Sequence, residues 1–159
     1  MLETEEIVLR PLEDSDLDFL QEIENNKENW EFGSEKKKYS KQELVEYIVN
    51  AKIDITIAKQ YRFVIEVQRN AIGFIDLFDY TADSAGVGVI ISRGYRNRGL
   101  AKKALRSLID YTFTTLNLSK LHCVIKKDNL ASIKLFTSCN FELESEKEEL
   151  QYFVKLAKK

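Results

Sequence analysis

The stretch VGVIISRGYRNRGLA, residues 87–101, decides the fold. Its first five residues, Val87 to Ile91, form an apolar run with the length and β-branched make-up of a buried strand. Arg93 to Gly99 follows, basic and punctuated by glycine. From Leu100 onward the apolar residues recur at helical spacing for about four turns. A strand that passes through such a turn into a helix is a physical device. The first N–H groups of a helix have no intrahelical partner, and the aligned peptide dipoles make that end positive. Together they form a receptor for a phosphate or pyrophosphate. Arg93, Arg96 and Arg98 set three guanidinium groups beside it, which suit anionic oxygens better than lysine would.

Working outward, the chain has 159 residues, the length of a single domain, taken here as residues 1–159. Apolar residues make up 44% and charged residues 31%, so a core of ordinary size is available. A net charge of −2 argues against a nucleic-acid footprint. No segment approaches the ~20 apolar residues that span a bilayer, and the acidic start MLETEEIVLR lacks the regions of a signal peptide. The expectation is a cytoplasmic protein. Cys123 and Cys139 fit a reducing compartment as buried free thiols, with a disulfide between them left open. One histidine and two scattered cysteines assemble no zinc-type ligand set, so no metal is expected.

Upstream of the deciding stretch, residues 6–10 read as a strand ended by Pro11. Asp14 and Asp16 offer N-caps to a helix carrying Leu17, Leu20 and Ile23. Asp14, Asp16, Asp18, Glu22 and Glu24 would make its outer face acidic, and Asn25-Asn26 would stop it. Ser40 and Glu43 form a capping box for a second helix that runs to about Asn50. Residues 51–60 stay open between helix and loop. Residues 62–67 and 71–78 pair across a turn at Gln68 to Asn70, and Val87 to Ile91 should run antiparallel to the second of them. Downstream of the helix, which should extend to about Leu116, come a strand at Leu121 to Ile125 and a short helix capped at Asp128-Asn129. A strand near Phe141 and a last one at Leu150 to Leu156 follow, with Glu144 to Glu149 as a charged, solvated turn between them. This order predicts an α/β (α+β) fold: a mixed, mostly antiparallel twisted sheet of six to seven strands with helices on both faces.

Three features then line up. The turn Arg96-x-x-Gly99-x-Ala101 opens the long helix, a strand follows that helix, and the run from Asn129 through Ser132 to Phe136 caps and forms a short helix. This arrangement resembles the GNAT superfamily of acyl-CoA-dependent N-acetyltransferases. The resemblance spans the chain in element order and is most specific from Ile90 to Phe141. It implies acetyl-CoA as cosubstrate. Arg96, Asn97, Arg98, Gly99, Leu100 and Ala101 would bind its pyrophosphate. The main chain of Val89, Ile90 and Ile91 would hold the pantetheine and acetyl carbonyl, and Asn129 and Phe136 would flank the cofactor. Arg62 to Glu66, Asp110 to Phe113, Leu116 to Leu121 and the segment from Val8 to Asp14 look like the bacterial spermidine N-acetyltransferase branch. The last of these is shared with the ribosomal-protein N-terminal acetyltransferases.

The chemistry needs a thioester set beside a neutral amine, an N–H for the developing oxyanion, and routes for two protons. Two departures bear on those protons. Many members of the superfamily have a Tyr as acid where this chain has Phe136, and a Glu near the place of Gly86. In its stead the base would be water or another carboxylate, with Asp76, Asp79 and Glu66 as the candidates. His122 reads as a structural histidine. Cys139 could lie near the thioester. Glu22, Glu24, Glu28, Glu31 and Glu35 could wall a polycation site, although Lys36 to Lys38 follow at once and acidic helix faces are usually solvent faces. Trp30 fills the core or lines the acceptor cleft. The reading is an N-acetyltransferase for a primary amine, a polyamine such as spermidine first. The rivals are an N-terminal acetyltransferase acting on a protein such as a ribosomal subunit, and a CoA-binding module without catalysis. A homo-oligomer is compatible with either enzyme.

Overall fold

In the computed structural model, which describes residues 6–26 and 38–157, one seven-stranded sheet carries every helix described. The strands are β1 (Ile7–Pro11), β2 (Tyr61–Val67), β3 (Asn70–Phe78), β4 (Ser84–Ile91), β5 (Lys120–Lys126), β6 (Glu142–Lys147) and β7 (Leu150–Leu156). The helices are α1 (Leu17–Glu24), α2 (Lys41–Asn50), α3 (Ile55–Ala58), α4 (Leu100–Thr114) and α5 (Leu130–Ser138). The sheet order is β1-β2-β3-β4-β5-β7-β6. All neighbours are antiparallel except β4 and β5. The mixed sheet and element order expected from the hydrophobic pattern are those observed.

The β4–β5 pair creates the site. It is hydrogen-bonded in register only from Ser84↔Lys120 to Gly86↔His122, whereas β4 stays paired with β3 as far as Ile91. Beyond Gly86 the two parallel strands splay. α4 makes the crossover between them, and its N-terminus therefore lies at the open end.

Each face of the sheet has its own core. The larger packs α4, through Leu100, Ala104, Leu105 and Leu108, on Ile72, Ile75, Leu77, Val87 and Ile91. The smaller packs Leu20 and Ile23 of α1 and Leu44 and Ile48 of α2 on Val64 and Phe74. Period-2 alternation along β3 and β4 explains the division: Phe74 and Ile90 face α1 and α2, and Ile75 and Ile91 face α4. Thr112 is fully buried on α4, and its hydroxyl donates to the Ile109 carbonyl at 2.9 Å.

Local chemistry sets most boundaries. Ser40 caps α2 in a reciprocal box with Glu43. The open segment 51–60 contains α3, capped by Asp54 on the Thr56 N–H and ended by Lys59 at φ 63°. Four expectations are corrected. The β2–β3 turn is only Gln68-Arg69, both at positive φ (49° and 66°) as a two-residue hairpin demands, and Asn70 already pairs with Val67. α4 ends at Thr114, short of Leu116. The charged run after Phe141 is strand as far as Lys147, because the free edge of β7 supplies hydrogen-bond partners; its residues are exposed, which suits a charged sheet edge. The acidic face of α1 is not all solvent face. Asp16 is buried and accepts two 2.8 Å hydrogen bonds from Arg10, and Glu24 is turned inward to Arg62.

Candidate functional site

The open end of β4 borders two cavities. The smaller, about 290 Å³, lies between β4, the Arg93-to-Gly99 turn, the start of α4 and the start of α5. Val89, Ile90, Ile91, Arg96, Asn97, Gly99, Leu100, Ala101 and Asn129 line it, joined by Tyr95, Lys102 and Ser132. Gly99 is the N-cap of α4 at φ 75°, a conformation that side chains with a Cβ resist, and Asn97 at φ 63° bends the turn before it. The chain thereby doubles back so that the first N–H groups of α4 face the cleft. Arg96 is anchored by its Nε, which donates to the Ile91 carbonyl at 2.9 Å. The Arg98 guanidinium lies over the Tyr95 ring, 5.2 Å from its centroid.

The ladder geometry sorts the three β4 residues. The Ser92 N–H donates to the Ile72 carbonyl at 2.7 Å, which fixes the phase of the antiparallel β3–β4 pairing. Ile90 and Gly88 therefore bond to β3 through their main chains. Val89 and Ile91 turn theirs into the splayed gap, and the Ile91 carbonyl is taken by Arg96. On the far wall Asn129 caps α5, its Oδ1 accepting from the Ser132 N–H at 3.2 Å. An anionic group with a slender chain behind it fits this cleft: helix N–H groups and Arg96 at one end, exposed strand main chain along the other.

Two expected cofactor residues are not in the lining. Arg98 sits outside it on Tyr95. Phe136 is buried in the main core, edge-on to Phe141 at 5.0 Å. Its carbonyl accepts the N–H groups of Cys139 and Phe141 where Asn140, at φ 69°, closes α5. It is held by that packing and does not reach under the cleft. Cys123 and Cys139 are buried free thiols with no disulfide, and burial pushes the Cys123 thiol up to about 12.

The second cavity, about 830 Å³, lies on the other face of the sheet under α1 and α2, and it shares Val89 and Ile90 with the first. Five carboxylates line it, Glu24, Glu43, Glu46, Asp76 and Asp79, with Arg62 as the one guanidinium among the described lining residues. Arg62 is mostly buried and organises the floor. Its Nε and Nη2 donate to both oxygens of Asp76 at 2.7 and 2.8 Å, and its Nη1 donates to Glu24 at 2.5 Å. Its plane is flanked by the rings of Phe74 and Tyr47, at 4.8 and 5.4 Å. Burial opposes its charge, but Asp76, Tyr47 and Glu24 outweigh that and hold its pKa well above the ordinary value. Burial also pushes the Tyr47 phenol up to about 12.

The candidate carboxylates separate. Glu66 lies outside both cavities and is bound to Arg10 at 2.5 Å, the same arginine that holds Asp16. Asp76 borders this larger cavity with both oxygens on Arg62. Asp79 lines the same cavity at φ 48°, and its carboxylate makes no ion pair or hydrogen bond among the described residues. The absence of a carboxylate at position 86 has a steric cause. A Cβ on Gly86 would sit 2.3 Å from the ring of its cross-strand neighbour Phe78. His122 packs edge-on against that ring at 6.1 Å, and burial together with Lys120 holds its imidazole below the ordinary value. Of the other acidic-wall positions, Glu22 is exposed and lines neither cavity, and Glu28, Glu31 and Glu35, together with Trp30, lie outside the described residues. Sequence reading missed Arg62, Tyr47 and Glu46. The one available signal was a charged residue inside the apolar strand 62–67.

Comparison with known proteins bears on the whole arrangement. Residues 6–142 match the acetyltransferase (GNAT) domain family. A spermidine N(1)-acetyltransferase of Vibrio cholerae is 32% identical over 139 residues, covering 86% of this chain and 79% of that protein. The crystal structure of spermidine N-acetyltransferase from Vibrio cholerae in complex with CoA and spermine superposes with a TM-score of 0.84 at 27% identity, over 94% of this chain and 95% of that one. A dodecameric structure of the Vibrio cholerae enzyme in an intermediate state gives a TM-score of 0.77 at 28% identity, over 94% and 93%.

Proposed function

The chain belongs to the GNAT acetyltransferase family, and from that premise we propose that it transfers an acetyl group from acetyl-CoA to a primary amine of a linear polyamine. It is an N-acetyltransferase. The observation that carries the polyamine reading is the meeting of the two cavities at Val89 and Ile90: an anion-binding cleft on one side, a carboxylate-lined pocket on the other. A thioester held in the first meets a cationic chain drawn into the second.

Acetyl-CoA brings the activated acetyl group. In this reading Arg96, Gly99, Leu100, Ala101 and the α4 N-terminus bind the pyrophosphate, the Val89 and Ile91 main chains hold the pantetheine arm, and Asn129 closes over it. Asp76 lies nearest the junction, opposite Gly88. Held at both oxygens by Arg62, it orients the acceptor. Asp79, just past the end of β3 and lining the same cavity, meets a distal ammonium. The pocket opens to water, which receives the proton. We place the protein in the cytoplasm; among the described residues no helix is long and apolar enough to cross a membrane. A homo-oligomer is part of the same proposal, as the dodecameric relative supports.

Calorimetric titration of acetyl-CoA, paired with thiol release over an amine panel, tests this. The panel comprises spermidine, spermine, a short monoamine and a peptide N-terminus. Saturable acetyl-CoA binding and thiol release fastest with the polyamines are expected. Release with the peptide alone would move the protein to the N-terminal branch, and acetyl-CoA binding without release on any amine would end the catalytic reading.

A further inference from the structure

Three glycines lie on the inner strands of the sheet, and protein packing accounts for two of them. A Cβ on Gly73 would stand 2.2 Å from the Ile90 carbonyl oxygen, so β3 can approach β4 there only without a side chain. A Cβ on Gly86 would enter the Phe78 ring. Gly88 is different. Its φ is not positive, and among the described residues the nearest atom to a Cβ built on it is the edge of Phe78 at 3.9 Å, an ordinary van der Waals distance. It is paired in register with Asp76. Glycine inside a strand costs stability and packs nothing, and where the fold does not require it a ligand commonly approaches the backbone. The open space above Gly88 belongs to the acidic cavity. It lies between Asp76 across the ladder and Ile90 further along β4, directly beside Val89 and so next to the junction with the cofactor cleft. On the β5 side the strand pairing has already stopped at Gly86.

We infer that Gly88 is a specificity-determining residue of the acceptor site: the methylenes next to the reacting nitrogen of an unbranched alkylamine lie across its bare backbone. Gly88 contributes room and no hydrogen bond, since its own main chain is engaged with β3. Asp76 fixes the lateral position of the chain and Asp79 its far end. Any side chain at position 88 enters the volume the acceptor needs while leaving the phosphate turn and the Val89 and Ile91 main chains untouched. The inference rests on the polyamine reading above.

The test is a size series, Gly88→Ala, Gly88→Val and Gly88→Leu, beside the unmodified chain. Gly88→Ala should raise Tm by about 2 °C, because it restricts the unfolded chain without strain in the folded one. It should raise KM for spermidine about tenfold, with a further rise for Val and Leu. Equilibrium binding of spermine to the CoA-loaded enzyme should weaken in parallel, with the acetyl-CoA Kd unchanged within twofold. An active parent whose Gly88→Ala variant matches it in KM and in spermine Kd overturns the inference and leaves the proposed function standing. A variant that loses Tm and acetyl-CoA binding together also overturns it, since the glycine would then be a requirement of the fold. A parent that acetylates no amine brings down the proposed function and this inference with it.

Discussion

The two cavities share Val89 and Ile90, yet they are built by different means. The cofactor-side cleft is made of main chain: the N-terminus of α4, a left-handed Gly99, and two strand residues whose hydrogen-bonding groups have lost a neighbour. Side chains there mostly assist. The acceptor-side pocket is made of charged side chains on α1, α2, β2 and β3, and its floor is held by one buried arginine between two carboxylates. Groups fixed by secondary structure cannot be lost without losing the fold. Groups fixed by a salt-bridge network can be re-tuned one at a time.

The largest break in that contrast should come from Arg62→Met. Removing the cation leaves Asp76 and Glu24 facing one another in a partly buried site, and breaking a buried pair by deleting one partner costs about 3 kcal/mol. Denaturant unfolding should show that loss, with KM for spermidine rising strongly and the acetyl-CoA Kd moving little. The triple variant R62M/E24Q/D76N, which removes the whole charge set, should recover much of the stability and none of the acceptor affinity. Equal stability of the single variant and the parent would mean that charge does not hold the pocket floor.

The same contrast explains what could be read from the sequence. The strand, turn and helix from Val87 to Ala101 are contiguous, and their hydrophobic period, glycine and arginines carry the local geometry by themselves. The Ser40–Glu43 capping box and the second helix it opens were legible for the same reason. The acceptor pocket depends on pairs far apart in the chain, such as Glu24 with Arg62 and Arg62 with Asp76. Nothing local in residues 17–24 says that Glu24 turns inward, or that Asp16 is buried on Arg10. Phe136 stood in the right helix, but whether its ring faces cofactor or core is settled by Phe141, beyond the αL turn at Asn140. Gly86 could be seen as a missing carboxylate; that Phe78 occupies the space could not.

A smaller break, confined to the other cavity, is Gly99→Val. At φ 75° a β-branched residue carries a backbone penalty of about 1–2 kcal/mol, and relieving it would swing the first N–H groups of α4 away from the cleft. Acetyl-CoA affinity should fall at least about tenfold by calorimetry. Spermine binding in the acidic pocket, measured without acetyl-CoA, should be unchanged. A matching loss of spermine affinity would show that the two cavities form one unit and would end the division drawn above.

The finest test concerns Asn129, where the two building principles meet in one side chain. Its Oδ1 caps α5 by accepting from the Ser132 N–H, a structural duty, and the same residue borders the cofactor-side cleft. Asn129→Ala should remove the cap and about 1 kcal/mol of stability. Asn129→Asp keeps an oxygen for the Ser132 N–H and should restore that stability. It has no amide N–H to donate into the cleft, and it adds a negative charge near the anionic ligand. If Asn129 only caps the helix, the Asp variant binds acetyl-CoA like the parent at a salt concentration that screens the added charge. If its amide also reaches the pantetheine arm, the Asp variant regains the parent's Tm while its acetyl-CoA Kd stays several-fold weaker, about the value of one lost hydrogen bond. The second outcome is expected, because the cap occupies only the carbonyl end of the amide and Asn129 also lines the cavity.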